Sequence, residues 1–141
     1  MGKVSIVYWS GTGNTEAMAA AMAEGAKDAG AEVELLTVDK ADAAALSEAK
    51  AFALGCPAMG AEVLEEGEME PFMAELDSQI AGKTIALFGS YGWGDGQWMR
   101  DWEERMKAAG AEIVGGEGVI CMEAPDDEAI AACEKLGSQL V

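Results

Sequence analysis

Short apolar runs and helical stripes alternate along the chain. Residues 3–9, Lys-Val-Ser-Ile-Val-Tyr-Trp, are β-branched and aromatic and stop at a glycine-rich turn, which is the pattern of a strand. From Asn14 to Ala29 the chain is rich in Ala and Met. That stretch places Met18, Met22 and Ala26 on one helical face and ends at Gly30. Ala31 to Val38 reads as a second strand, Asp42 to Ser47 as a short helical turn, and Ala49 to Cys56 as a strand stopped by Pro57. Glu70 to Gln79 predicts a helix with Pro71 in its first turn and Phe72, Met73 and Leu76 facing inward. Thr84 to Gly89 predicts another strand. Gln97 to Ala109 is amphipathic: Trp98, Trp102 and Met106 share one face, Arg100, Glu103, Glu104 and Lys107 lie opposite, and Gly110 closes it. Glu112 to Cys121 supplies a fifth strand, interrupted by Gly115, Gly116 and Gly118. Pro125 opens a last helix on which Ile130, Cys133 and Leu136 recur at threes.

This alternation predicts an α/β fold, a doubly wound five-stranded parallel sheet with helices on both faces, built as one domain over residues 1–141. The strands are continuous apolar runs, as strands covered on both faces must be. In such sheets ligands bind outside the carboxyl ends of the strands, near the point where strand order reverses.

Composition narrows the chemistry. The 141 residues are 50% hydrophobic, enough for a packed core, and carry 9 Lys+Arg against 26 Asp+Glu, a formal charge of −17, with no histidine. Ser-His-Asp and Cys-His catalysis therefore lack their base, and histidine-ligated zinc is excluded. So strong an acidic surplus repels nucleic-acid backbones and anionic membranes. Cys56, Cys121 and Cys133 are odd in number, widely spaced and without a CxxC pair. They read as reduced, mostly buried small residues rather than a disulfide frame or a metal site. The opening apolar run is too short for a secretory signal, and nothing has the length of a membrane span, so the expected location is the cytoplasm.

Three loops follow the first, third and fourth strands. The first, Ser10-Gly-Thr-Gly-Asn-Thr15, runs straight into a helix. Its glycines let backbone N–H groups converge, the helix N-terminus adds partial positive charge, and Ser10, Thr12, Asn14 and Thr15 add neutral donors. It is an anion cradle without Lys or Arg. It is neither a Walker loop, which requires GxxxxGK[ST], nor a full dinucleotide fingerprint, since Glu16 stands where a third glycine is needed. The second, from Cys56 to Glu62, sets Met59 beside Gly60. The third, Gly89-Ser-Tyr-Gly-Trp-Gly-Asp-Gly96, spends four glycines in eight residues, a pattern expected to hold Tyr91 and Trp93 outward. Together they describe a site for a flat, aromatic, phosphorylated ligand.

Residues 8–16 (Tyr-Trp-Ser-Gly-Thr-Gly-Asn-Thr-Glu), Ala58-Met-Gly60 and Gly89-Ser-Tyr-Gly-Trp-Gly-Asp-Gly96 closely resemble the short-chain flavodoxins of anaerobic bacteria, the clostridial type. The likeness spans essentially the whole chain. It implies a single flavodoxin-like domain with sheet order 2-1-3-4-5 and a non-covalently bound FMN. By that resemblance Ser10, Thr12, Asn14 and Thr15, with backbone N–H groups through Gly11 and Gly13, hold the FMN phosphate. Ala58 belongs to the cofactor loop, Met59 lies on one face of the ring and Trp93 on the other. Glu62 accepts from the ring N3–H, while Ser90, Tyr91, Gly92, Trp93 and Gly94 line the ribityl chain and pyrimidine. The Met59–Gly60 peptide is expected to turn over on one-electron reduction so that its carbonyl meets N5–H. Ala61 departs from the acidic or polar residue often found after that glycine.

The function this implies is a low-potential, one-electron carrier shuttling between redox enzymes. It is not an enzyme in its own right, and no side chain is assigned a catalytic role and none a metal. The expected partners are basic-surfaced reductases and oxidoreductases docked by charge, with the carrier itself a monomer. The alternative is an FMN-dependent NAD(P)H:quinone reductase, which can share these loops but needs room for a nicotinamide and a second substrate. A phosphoacceptor domain shares the architecture but would need Asp where the third strand ends in Cys56 and an acidic pair where Trp9 and Ser10 stand.

Overall fold

The computed structural model describes residues 3–11, 13–59, 63–92, 94 and 96–141. Strand β1 (Lys3–Tyr8) leads into helix α1 (Asn14–Asp28), then β2 (Glu32–Thr37) and the short helix α2 (Ala43–Leu46). Next come β3 (Ala51–Gly55), α3 (Met69–Leu76), β4 (Thr84–Tyr91), α4 (Gln97–Ala108), β5 (Glu112–Ile113), β6 (Val119–Met122) and α5 (Asp127–Gln139). All pairings among these strands are parallel, in the order β2-β1-β3-β4-β5, and β6 also pairs with β4.

The period of two along the strands divides the core. Val7, Phe52, Leu54, Ile85 and Leu87 face α3 and α4, where Phe72, Met73, Leu76, Trp98, Trp102 and Met106 are buried. The alternate positions Ile6, Tyr8, Ala53, Ala86 and Phe88 face α1 and α5, where Met18, Met22, Ala26, Cys133 and Leu136 are buried. The helical stripes expected from the spacing are therefore the buried ones, except that Ile130 of α5 is only half-buried and Ala129 takes the inner place. The helix expected over 70–79 is α3 followed by a 3₁₀ turn, Asp77–Gln79.

Helices α1 and α5 pack almost backbone to backbone. A Cβ placed on Gly25 would lie 1.9 Å from the Glu134 carbonyl oxygen, and one on Gly137 would lie 2.0 Å from the Met22 carbonyl oxygen. Small residues here are a condition of the helix spacing, not a lapse in helix propensity.

The expected fifth strand is divided. Its two pieces, β5 and β6, flank a 3₁₀ turn, Val114–Gly116, and both run along β4: Thr84 and Ile85 register with Glu112 and Ile113, and Phe88 to Tyr91 with Val119 to Met122. Gly115 and Gly116 sit at φ +76° and +85°, where a strand cannot continue. The Gly118 N–H donates to Glu103 Oε2 at 2.6 Å, which fixes the restart of the strand to α4. On the opposite side of α4, Arg105 reaches Asp77 (Nη2–Oδ2 2.8 Å) and Glu70 (Nη1–Oε1 2.9 Å), locking α4 to α3. Among the described residues no helix is long and apolar enough to cross a membrane.

Candidate functional site

The loops after β1, β3 and β4 leave the same edge of the sheet, and one buried residue joins them. Ser90, 4% exposed, lies near the end of β4. Its N–H donates to Thr15 Oγ1 at 3.3 Å and its Oγ lies 3.3 Å from the same oxygen, which ties β4 to the first turn of α1. Its carbonyl accepts from Ala58 N at 3.0 Å, which ties β4 to the loop after β3. Thr15, expected to offer its hydroxyl to an anion, is 1% exposed and accepts from β4.

Ser10 organises the first loop. Its Oγ accepts from Gly13 N at 3.1 Å and from Glu16 N at 3.3 Å. A hydroxyl that accepts twice keeps its own O–H to donate. Helix α1 then starts from Gly13 at φ +93°, where a Cβ would meet nothing within 4 Å. This leaves open space beside a helix N-terminus whose first N–H groups lack intrahelical acceptors. Half-buried Asn14 opens that first turn. The donor set is neutral and suits an anion such as a phosphate, not a cation. Thr12 lies outside the described residues.

In the second loop, Ala58 is buried and Met59 half-buried. Met59 and Val63 exchange N–H···O bonds at 2.9 Å in both directions, an antiparallel bridge that brackets residues 60–62. Gly60 and Glu62, with Ala61, lie outside the described residues, as do Trp93 and Asp95 in the third loop. Gly92 and Gly94 are exposed there. Tyr91 corrects an expectation. It is half-buried rather than held outward, its ring 5.5 Å from that of Trp98 and inclined at 49°. The reason is register: β4 runs on to residue 91, so Tyr91 falls on the same face as Ile85 and Leu87 and packs against their cluster. Trp98, on the first turn of α4, donates from Nε1 to the Cys56 carbonyl at 3.0 Å and so holds the end of the third strand.

Several supporting residues escape a reading by motif. Trp9 Nε1 donates to Glu68 Oε1 at 3.1 Å, and the Trp9 ring lies 3.1 Å from where a Gly11 Cβ would stand. That indole braces the first loop against the start of α3. Tyr8 Oη bonds Glu16 Oε2 at 3.1 Å. Burial first, then the bond and charge of Glu16, push the Tyr8 phenol above its ordinary value. Cys56 is buried, and burial pushes its thiol up to about 12, so it is a structural thiol at neutral pH.

Glu65 holds the entry to α3. Its carboxylate accepts from the N–H groups of Gly67, Glu68 and Met69 at 2.8, 2.7 and 3.0 Å. Partial burial opposes the charged form, but these three donors outweigh it, and the carboxyl is held below its ordinary range. A group with a lowered folded pKa stabilises the fold above its unfolded value. That contribution is lost as pH falls through the folded value. Glu65→Ala is therefore expected to cost roughly 1 kcal/mol at pH 7. The deficit should shrink towards zero in strongly acidic urea titrations. A deficit that stays constant from neutral to acid pH would show that the carboxylate charge is not what caps α3. An acidic residue a few positions ahead of a Pro-containing helix start is the sequence signal that could have flagged it.

Comparison with known proteins agrees with this edge. A profile of the flavodoxin family matches residues 6–136. The chain is 47% identical to a flavodoxin of Clostridium beijerinckii over 97% of its own length and 98% of the relative's. It is 45% identical to a flavodoxin of Megasphaera elsdenii over 95% of each. The solution structure of two-electron reduced Megasphaera elsdenii flavodoxin superposes with a TM-score of 0.87, covering 96% of this chain and 98% of that one at 40% identity. With the sheet order, the three loops at one edge and near-full-length identity in agreement, the chain belongs to the flavodoxin family of FMN-binding electron carriers.

Proposed function

We propose that this chain is a low-potential, one-electron carrier whose FMN is held by the three loops around Ser90. The joining of those loops through one buried residue is the observation that carries the reading. Ser10, Gly11, Thr12, Gly13, Asn14 and Thr15 hold the phosphate through neutral donors. Ala58, Met59, Gly60 and Glu62 form one wall, and Ser90, Tyr91, Gly92, Trp93 and Gly94 the other. Bound there, FMN supplies the one-electron chemistry. The protein's own part is to seat the phosphate at the N-terminus of α1, exclude water with the packed ends of β3 and β4, and set the local charge. A net charge of −17 opposes each added negative charge, which lowers the potential.

Topology also sorts the lysines, although Asp28, Glu32, Glu48 and Glu112 stand among them. Lys3 starts β1, Lys50 and Lys83 immediately precede β3 and β4, and Lys27 and Lys107 sit in the last turns of α1 and α4. Five of the seven lysines thus gather at the edge opposite the loops. Around the loops stand Glu16, Glu65, Glu66, Glu68, Glu123, Asp126, Asp127 and Glu128, with Lys40 and Arg100 as the nearby cations. Partners are accordingly basic-surfaced redox enzymes met by the loop edge. The same surplus of like charge favours a monomer. Three free thiols fit a reducing cytoplasm.

The test is titration of the apoprotein with FMN, followed by stepwise reduction under optical monitoring. One FMN per chain and two resolved one-electron steps are expected. Absence of stoichiometric FMN binding, or a single two-electron step, overturns the proposal.

A further inference from the structure

A groove of about 870 Å³ lies beside β6, between α4 and α5, and meets the three loops only at Tyr91 and Gly96 of the third. Its floor is a sheet edge. Among the described residues β6 pairs with β4 alone, so the other side of its backbone carries N–H and C=O groups without a strand partner. Natural edges are blunted by brevity, by bulges, or by Lys, Pro or inward charge. Strand β6 is short, at four residues, but its Val-Ile-Cys-Met carries no Lys, Pro or charge. Ile120 and Met122 leave the strand on one face and are 36% and 59% exposed.

Two observations say what such an edge would accept. The first is charge. The groove is rimmed by Glu103, Glu117, Asp126 and Glu128 against Arg100 and Lys135, on a chain already at −17. A second copy of this chain would bring the same negative charge to the same edge. A segment flanked by lysine or arginine meets it with attraction. The second is continuity. Met122 registers with Tyr91, and Ile120 Cδ1 lies 3.0 Å from where a Gly96 Cβ would stand, so the groove runs into the third cofactor loop.

We infer that the groove along β6 is a strand-accepting site for an extended, lysine- or arginine-flanked segment of the redox partner, which pairs with the open backbone of β6 over Ile120 and Met122. This rests on the electron-carrier reading given above and adds how a partner is aligned. Backbone pairing supplies register, the apolar pair supplies contact area, and the acidic rim selects the flanks. A partner held there lies directly beside the Tyr91 end of the cofactor loops.

Two arms test this on the FMN-loaded protein. In the first, amide hydrogen exchange is followed with and without a synthetic valine/threonine peptide flanked by lysines, at millimolar concentration. Exchange at Val119–Glu123 is expected to slow by roughly tenfold or more. A glutamate-flanked version of the same peptide is expected to do nothing. In the second, Met122→Lys and Ile120→Lys are compared with the parent as electron acceptors from a basic-surfaced, NADPH-dependent flavoprotein reductase. The apparent KM should rise about fivefold or more, with kcat, FMN affinity and dithionite reduction unchanged. Met122 is exposed enough that its variant keeps the fold even if Ile120→Lys does not. Equal protection by both peptides, protection outside β6, or an unchanged KM in Met122→Lys overturns the inference. So does concentration-dependent dimerisation abolished by Met122→Lys, which would give the edge to a second copy. Failure of the carrier reading shows separately, as loss of FMN binding or of dithionite reduction, while the peptide arm still reports on the groove.

Discussion

Gly25→Ala is expected to destabilise the protein by roughly 3 kcal/mol, although alanine is the better helix former. Taken alone, the exchange inside α1 would add about 1 kcal/mol of helix propensity. The sign reverses because the new methyl would sit 1.9 Å from the Glu134 carbonyl of α5. Backbone on the facing helix cannot swing aside as a side chain can. Either α5 lifts from α1, opening the packing of Met18, Met22, Cys133 and Leu136, or α1 bends. Gly137→Ala presses the same seam from the other side, at 2.0 Å from the Met22 carbonyl. Urea unfolding of both single variants and the double variant would measure this. Each single should lower the midpoint, and the double should cost less than the sum, because the second methyl enters a seam already opened. A midpoint unchanged or raised by Gly25→Ala would mean that the two helices do not pack backbone to backbone.

The second large effect is kinetic. Electron transfer from the reduced protein to a basic-surfaced redox enzyme is expected to slow by about tenfold or more as ionic strength rises from about 0.01 M to about 1 M. Over that range the screening length shrinks from about 30 Å to about 3 Å. The long-range pull of the acids around the loops is then lost, while contacts at the docked surface persist. Separating five of the seven lysines to the opposite edge also orients approach, since the loop edge is drawn forward and the far edge is not. Stopped-flow transfer at several salt concentrations would show a steep negative slope. A flat response would remove charge from the docking mechanism.

Much of the fold was legible in the sequence because its signals are local. Trp98, Trp102 and Met106 form a stripe that can only be buried, and they are 1%, 1% and 0% exposed. The divided fifth strand was not legible as such. Three glycines announced an interruption, but only the positive φ of Gly115 and Gly116 turns an interrupted strand into two. The three loops stood out as sequence motifs, and their mutual support did not. The Ser90–Thr15 contact joins residues 75 positions apart, and no local pattern anticipates that Thr15 would serve β4. Trp9 and Glu68, 59 positions apart, escaped for the same reason. Tyr91 was misjudged from its glycine neighbours because the end of β4, not the composition of the loop, decides where its ring points.

The Ser90 junction carries one last consequence, for affinity. A ligand gripped by three independent loops must freeze each of them, and every immobilised segment subtracts from the free energy of binding. Here the described stems of those loops are already fastened to a single buried serine of the sheet. Most of the ordering of those stems is done by folding, before any ligand arrives. An FMN seated between them, as proposed, would spend little on fixing the stems, so tight binding would not require a large contact area.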